Sequence, residues 1–131
     1  MHFLRQLVAT WKGRCPEIEW SISLPHDIGQ TDEHLDLTIY RAVQECLTNI
    51  VRHSAARRVD LNLICGPEGM LELTVRDDGR GLDKDFRYGF GLLGMNERIR
   101  RLHGNLSVSA APGGGTFVEL AIPRVCAELE A

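Results

Sequence analysis

The chain has 131 residues, 44% of them hydrophobic and 25% charged, with a formal net charge of -3. That length suits one domain, which buries roughly two thirds of the surface its unfolded chain exposes. The mild acidity excludes a general grip on nucleic acid, which takes a strongly basic face, and no apolar run reaches membrane-spanning length.

Cys15, Cys46, Cys65 and Cys126 form no C-x-x-C pair and no zinc-spaced cluster with histidine. They read as reduced thiols of a cytoplasmic protein, and the N-terminus carries no signal-peptide pattern. The short arginine clusters at Arg57-Arg58 and at Arg98, Arg100 and Arg101 read as solvated faces.

Taken in chain order, Phe3, Leu4, Leu7, Val8 and Trp11 fall at helical spacing and predict an amphipathic helix over residues 2–11. Its start almost at Met1 marks residues 1–12 as the end of a longer, truncated linker helix. Residues 17–24 alternate, with Ile18, Trp20, Ile22 and Leu24 on one side, which predicts a half-buried strand stopped by Pro25. Thr31 or Asp32 can cap the next helix, and Asp32 and Glu33 suit the positive end of its dipole. That helix runs to about His53 behind the stripe Leu35, Ile39, Ala42, Val43, Cys46, Leu47 and Ile50.

Strands over residues 59–64 and 71–75, joined by "CGPEG", predict an antiparallel hairpin. After a glycine-rich stretch comes a helix over about residues 92–102, with Gly104 at its C-cap. Strands over 106–109 and 116–122, linked by "AAPGGG", close a domain spanning residues 13–123, and 124–131 are a loose tail. The expected fold class is α+β, a two-layer sandwich with a mixed, mostly antiparallel sheet on about three helices.

The chemistry concentrates in "LTVRDDGRGLDKDFRYGFGLLGM", residues 73–95. Two familiar patterns there or nearby are decoys. "GFGLLG" matches the dinucleotide-binding G-x-G-x-x-G, but "DKDFRY" precedes it where a hydrophobic strand is needed, and no G-K-[ST] exists for a Walker loop. "HDIGQ", residues 26–30, is one residue short of a histidine-kinase acceptor motif and follows Pro25 in a connecting loop.

A stronger feature is the polar strip of Glu45, Asn49, Arg52 and His53, at i, i+4, i+7 and i+8 of the long helix. An acid, an amide, a cation and an imidazole in one line can orient a nucleophile, hold Mg²⁺ and meet phosphate oxygens. Magnesium favours a few protein oxygens plus the nucleotide's own phosphates. A nucleotide also has two unlike ends. The adenine amine is a donor that wants a carboxylate, which Asp77 at a strand end can supply, while the phosphates want backbone N–H groups and helix N-termini. Gly89 and Gly91 precede such a helix.

These segments resemble the GHKL ATPases in the form used by sensor histidine kinases. "QECLTNIVRHS" is similar to their N box, "VRDDGRGL" to the G1 box, "GFGLLGMNERIRRLHGNLSV" to the G2 box with its helix, and "PGGGTFVELAIP" to the closing hairpin. The likeness is greatest to the subfamily that signals to LuxR-type response regulators, and it covers roughly residues 17–123.

The resemblance implies a Bergerat-type ATP-binding fold with ATP and Mg²⁺ as ligands. It implies that Asp77 accepts the adenine amine, with Gly81 and a water, and that Asn49 ligates Mg²⁺. Glu45 would be the N-box acid near the γ-phosphate, and Arg52 and His53 would touch phosphates. Gly79 and Leu82 belong to the base-binding box; Gly89, Phe90, Gly91 and Leu92 shape the lid over the phosphates; Thr116 places a hydroxyl near the adenine. Asp78 stands where asparagine is commoner and receives no ligand role.

The implied activity is that of a protein histidine kinase whose acceptor histidine lies on dimerisation helices outside this chain, in a pathway with a response regulator. No contact with nucleic acid or membrane is implied, and the isolated domain is expected to be monomeric and cytoplasmic. Two rival readings keep the fold: an anti-sigma-type serine kinase acting on a partner protein, and a degenerate interaction module without catalysis. Intact Glu45, Asn49, Asp77, Gly79, Gly81, Gly89 and Gly91 speak against the second.

Overall fold

Hydrophobicity of period two builds the sheet. Strand β2 (Arg58–Cys65) buries Val59, Leu61 and Leu63, strand β3 (Met70–Asp77) buries Leu71, Leu73 and Val75, and strand β5 (Thr116–Pro123) buries Val118, Leu120 and Ile122. With β1 (Glu19–Ser23) and β4 (Asn105–Ala110), the order across the sheet is β1-β2-β3-β5-β4. The computed structural model describes residues 2–26, 29, 31–80 and 90–124, without the side chains at 53, 54, 67 and 90–93. The expectations on Gly81, Leu82, Gly89 and the tail beyond residue 124 lie outside the described residues.

Only β1 and β2 run parallel, joined through helix α2 (Glu33–Asn49), while the other neighbours are antiparallel. The mixed, mostly antiparallel sheet of the sequence reading is therefore observed. The buried strand residues share one core with Leu4, Leu7 and Val8 of α1 (His2–Arg14), the whole α2 stripe from Leu35 to Leu47 with Ile50, and Met95 and Ile99 of α3 (Phe90–Arg101). Helices thus cover one face of the sheet, giving the two-layer α+β sandwich. Ile39, Leu47, Leu61, Leu73 and Ile99 are essentially sealed; truncating one of them to alanine costs about 2–5 kcal/mol.

The ends of the helices show local chemistry at work. Asp32, rather than Thr31, caps α2: its Oδ1 accepts the Leu35 N–H at 2.7 Å, while Thr31 Oγ1 donates to Asp36 Oδ1 at 2.6 Å. The helix was expected to run unchanged to His53. Instead it widens into a π-helical turn at Ile50–Ser54 and stops at Ala55, whose φ of 54° is left-handed. Such turns are rare and frequent at functional sites.

The end of α3 also corrects the sequence reading. The left-handed residue is His103, at φ 63°, not Gly104. The His103 N–H donates to the Arg100 carbonyl at 2.9 Å and the Gly104 N–H to the Ile99 carbonyl at 2.8 Å, the pairing of a Schellman motif. Gly104 is needed for clearance instead, because a Cβ there would strike the Ala121 carbonyl and approach Ile122 Cγ1 at 2.9 Å.

Candidate active site

Asp77 ends β3 as the residue paired with Val59 and, at 3% exposure, is the only buried carboxylate among the described residues. The alternation that sends Leu71, Leu73 and Val75 into the core sends Asp77 the same way, at the strand's mouth. Its Oδ1 accepts the Gly79 N–H at 2.8 Å, an Asx-type turn, and the Thr116 amide also donates to the carboxylate. Burial pushes the Asp77 carboxyl above its usual 3.8, the two amides oppose that, and the neighbouring charge of Asp78 adds to the rise. No ion pair to Asp77 occurs among the described residues. A carboxylate offers about four acceptor positions, so this one retains capacity for a donor brought by a ligand.

Two features beside Asp77 carried no role in the sequence reading. Asp78 Oδ1 accepts the backbone N–H groups of Arg57 at 2.8 Å and Arg58 at 2.9 Å. The amide of Arg58, above all, holds the Asp78 carboxyl below its ordinary value; desolvation opposes it and the amide of Arg57 adds to it. Gly115, in the turn between β4 and β5, lies directly over the Asp77 peptide: a Cβ there would overlap the Asp77 carbonyl and come within 2.9 Å of Asp78 Cα. The run Gly113-Gly114-Gly115 was a visible signal for a close approach. Asp78 had a weaker one, since Asp followed by Gly favours side-chain-to-backbone turns. Thr116 reaches Asp77 through its backbone amide.

On α2, Glu45 and Asn49 are half-buried one turn apart. Cys46 beside them is sealed, and burial, followed by the charges of Glu45 and Asp77, pushes its thiol up to about 12. Both the α2 acid and the carboxylate at the mouth of β3 therefore act on the one buried sulfur. Arg52 is exposed and His53 follows it within the π-helical turn, so the α-helical spacing of the strip holds through Asn49 and not beyond. Gly79 is half-buried directly after the Asp77 mouth.

A groove of about 500 Å³ separates α2 from α3, lined by Leu37, Tyr40, Arg41, Gln44, Glu45 and Thr48 on one side and Gly94, Met95 and Arg98 on the other. Glu45 is the predicted site residue that lines it; Asn49 and Asp77 do not. Phe90, Gly91 and Leu92 form the first turn of α3. No group of three His, Cys, Asp or Glu side chains among the described residues could hold a metal unaided.

The arrangement offers a buried acceptor at a strand mouth and, on α2, an acid and an amide one turn apart. The family model described as histidine kinase-, DNA gyrase B- and HSP90-like ATPase matches residues 34–125, more than half the chain. The chain therefore belongs to this ATPase family.

Similar proteins include the sensor histidine kinase YxjM of Bacillus subtilis, 40% identical over 71% of this chain and 22% of that protein. Another is the signal transduction histidine-protein kinase/phosphatase UhpB of Salmonella typhimurium, 34% identical over 92% of this chain and 23% of that protein. The chain thus spans under a quarter of the length of these relatives. Among solved structures, the histidine kinase domain of the Erythrobacter litoralis EL346 blue-light activated kinase superposes with a TM-score of 0.73 at 24% identity, over 92% of this chain and 59% of that one. The mycobacterial sensor histidine kinase MprB gives 0.70 at 22% identity over 93% of both chains. These two likenesses concern the fold.

Proposed function

We propose that this domain binds Mg·ATP and passes its γ-phosphoryl group to a histidine on a dimerisation helix of the same kinase, for onward transfer to a response regulator of the LuxR type. The observation that carries the reading is the buried Asp77. Holding a carboxylate out of water with amides alone is unfavourable, and perturbed acids in such settings concentrate at functional sites. An adenine amine would supply the missing donor. The Thr116 hydroxyl, Gly79, Gly81 and Leu82 would frame the base.

The donor set fits magnesium in the form that travels with nucleotide. Asn49 would offer one oxygen, and phosphates and water the rest, since Mg²⁺ takes few protein ligands beside phosphates; bound there, it would neutralise charge on the β and γ oxygens. Arg52 and His53 would meet phosphates, and Gly89, Phe90, Gly91 and Leu92 would form the lid. In the transfer a histidine nitrogen bonds to the γ-phosphorus as the bond to the β–γ bridging oxygen breaks, and ADP leaves. The proton on the histidine passes to an acid beside it on the acceptor helix, so Glu45 would be an orienting acid and not the sole base. The reaction would take place in the cytoplasm; no helix among the described residues is long and apolar enough to cross a membrane.

The test is to incubate the domain with Mg²⁺ and γ-labelled ATP beside a separately supplied helical domain carrying an acceptor histidine. The reading predicts label on that domain which acid removes and alkali does not. Acid-stable label on a serine-bearing partner would favour a serine kinase instead, and binding without transfer to any acceptor would favour an interaction module.

A further inference from the structure

Asp77 sits between two close contacts, and one of them depends on a single side chain. Behind it, the residue pair Arg57-Arg58 leads from the π-helical turn of the Asn49 helix into β2. Both amides of that pair donate to Asp78 Oδ1, at 2.8 Å and 2.9 Å, and the Asp78 N–H returns a bond to the Arg58 carbonyl at 3.3 Å. The Arg57 carbonyl accepts the Glu19 N–H at 2.7 Å, which ties β1 to the same point. In front, Gly115 packs on the Asp77 carbonyl.

We propose that Asp78 is a positioning residue: its carboxylate pins the exit of the Asn49 helix to the strand end that carries Asp77, and so sets how Asp77 meets the nucleobase. This inference rests on the nucleotide reading above. It is distinct from a ligand role for Asp78, because the work is done inside the protein: Oδ1 accepts the two amides of the turn that enters β2. The neighbouring ion pairs of Arg58 with Glu19 and Asp60, both at 3.2 Å, lie on the surface, where such pairs contribute little. The β2–β3 ladder, with Val59 opposite Asp77, joins the two strands; the Asp78 hydrogen bonds add the side-chain tie to the turn that precedes β2, and the requirement is geometric. An asparagine Oδ1 would serve as well as a carboxylate; a glutamate, one methylene longer, would keep the charge and lose the fit.

The experiment compares wild type with Asp78→Asn, Asp78→Glu and Asp78→Ala at a temperature well below each unfolding midpoint. The readouts are the ratio of ATP to GTP affinity and the hydrogen exchange of the Arg57 and Arg58 amides. We expect Asp78→Asn to keep the wild-type ratio and the protection of both amides. Asp78→Glu and Asp78→Ala should lose the protection and lower the ratio by about tenfold, the loss of roughly one well-placed contact. An unchanged ratio in Asp78→Ala, or a loss in Asp78→Asn equal to that in Asp78→Ala, would overturn the proposal; a purely structural residue would lower the melting temperature and leave the ratio alone. If Asp78→Ala does not fold, the Asn and Glu variants decide it through the same two readouts. Failure of the wild type to bind ATP would instead refute the nucleotide reading.

Discussion

Replacing Gly115 by alanine should damage the site far more than the same change one residue earlier. Both Gly114 and Gly115 hold positive φ, 114° and 91°, and a side chain forced into that region costs about 1–2 kcal/mol. Gly114 faces open space, so Gly114→Ala carries that cost alone. At Gly115 the new Cβ would overlap the Asp77 carbonyl and lie 2.6 Å from its carbon, and both contacts are backbone, which cannot rotate aside. The strand end must shift, breaking the Thr116 amide bond to the Asp77 carboxylate and adding about 1–3 kcal/mol for a buried acceptor left short. The expected totals are about 1–2 kcal/mol for Gly114→Ala and about 2–5 kcal/mol for Gly115→Ala. Calorimetry would record them as drops of roughly 3–8 °C and 6–20 °C, at roughly 3–4 °C per kcal/mol for a domain of this size. ATP titration below the lower midpoint should show near-normal affinity in Gly114→Ala and a loss of tenfold or more, by about the same hydrogen-bond arithmetic, in Gly115→Ala. Equal melting temperatures and equal affinities in the two variants would refute the close approach as the reason for glycine at 115.

Two further outcomes follow from the same geometry. Because burial raises the Asp77 carboxyl above 3.8, its ionised form works against folding at neutral pH, and that penalty fades as pH falls through the folded-state value towards 3.8. Asp77→Asn should therefore melt higher than wild type at pH 7, with the gap closing in acid, while ATP binding is lost; a lower melting temperature at pH 7 would contradict the burial argument. His103→Gly should stabilise the domain by about 0.5–1 kcal/mol by relieving the left-handed C-terminal residue of α3, with nucleotide affinity unchanged, and a fall in melting temperature would show that the His103 side chain contributes packing of its own.

The long α2 stripe was legible because seven apolar positions at helical spacing admit one burial solution, and all seven are buried. The sheet strands were legible for the same reason at period two, although every edge except the start of β5 at Thr116 was misjudged by one or two residues. Asp77 could be singled out because it closes a strand directly before a glycine-rich stretch, where a carboxylate can accept from a base amine. The π-helical turn could not be foreseen, since no residue type in "IVRHS" forbids an ordinary helix. Gly104 was misread because a glycine after a helix has two causes, left-handed φ and clearance, and only the position of Ala121 across the sheet distinguishes them. The clamp at Asp78 was hidden for a related reason: its partners lie 20 and 21 residues away in the chain, and a local reading sees only an added negative charge.

The most direct test of the account is a titration of the domain with ATP, with and without Mg²⁺, beside Asp77→Asn shown by its melting curve to be folded. The account predicts saturable binding by the wild type, tightened by Mg²⁺, and a loss in the variant of at least about tenfold, the weight of one buried hydrogen-bond acceptor. No wild-type binding at millimolar ATP, or equal binding by the two proteins, would contradict the claim that Asp77 reads the base.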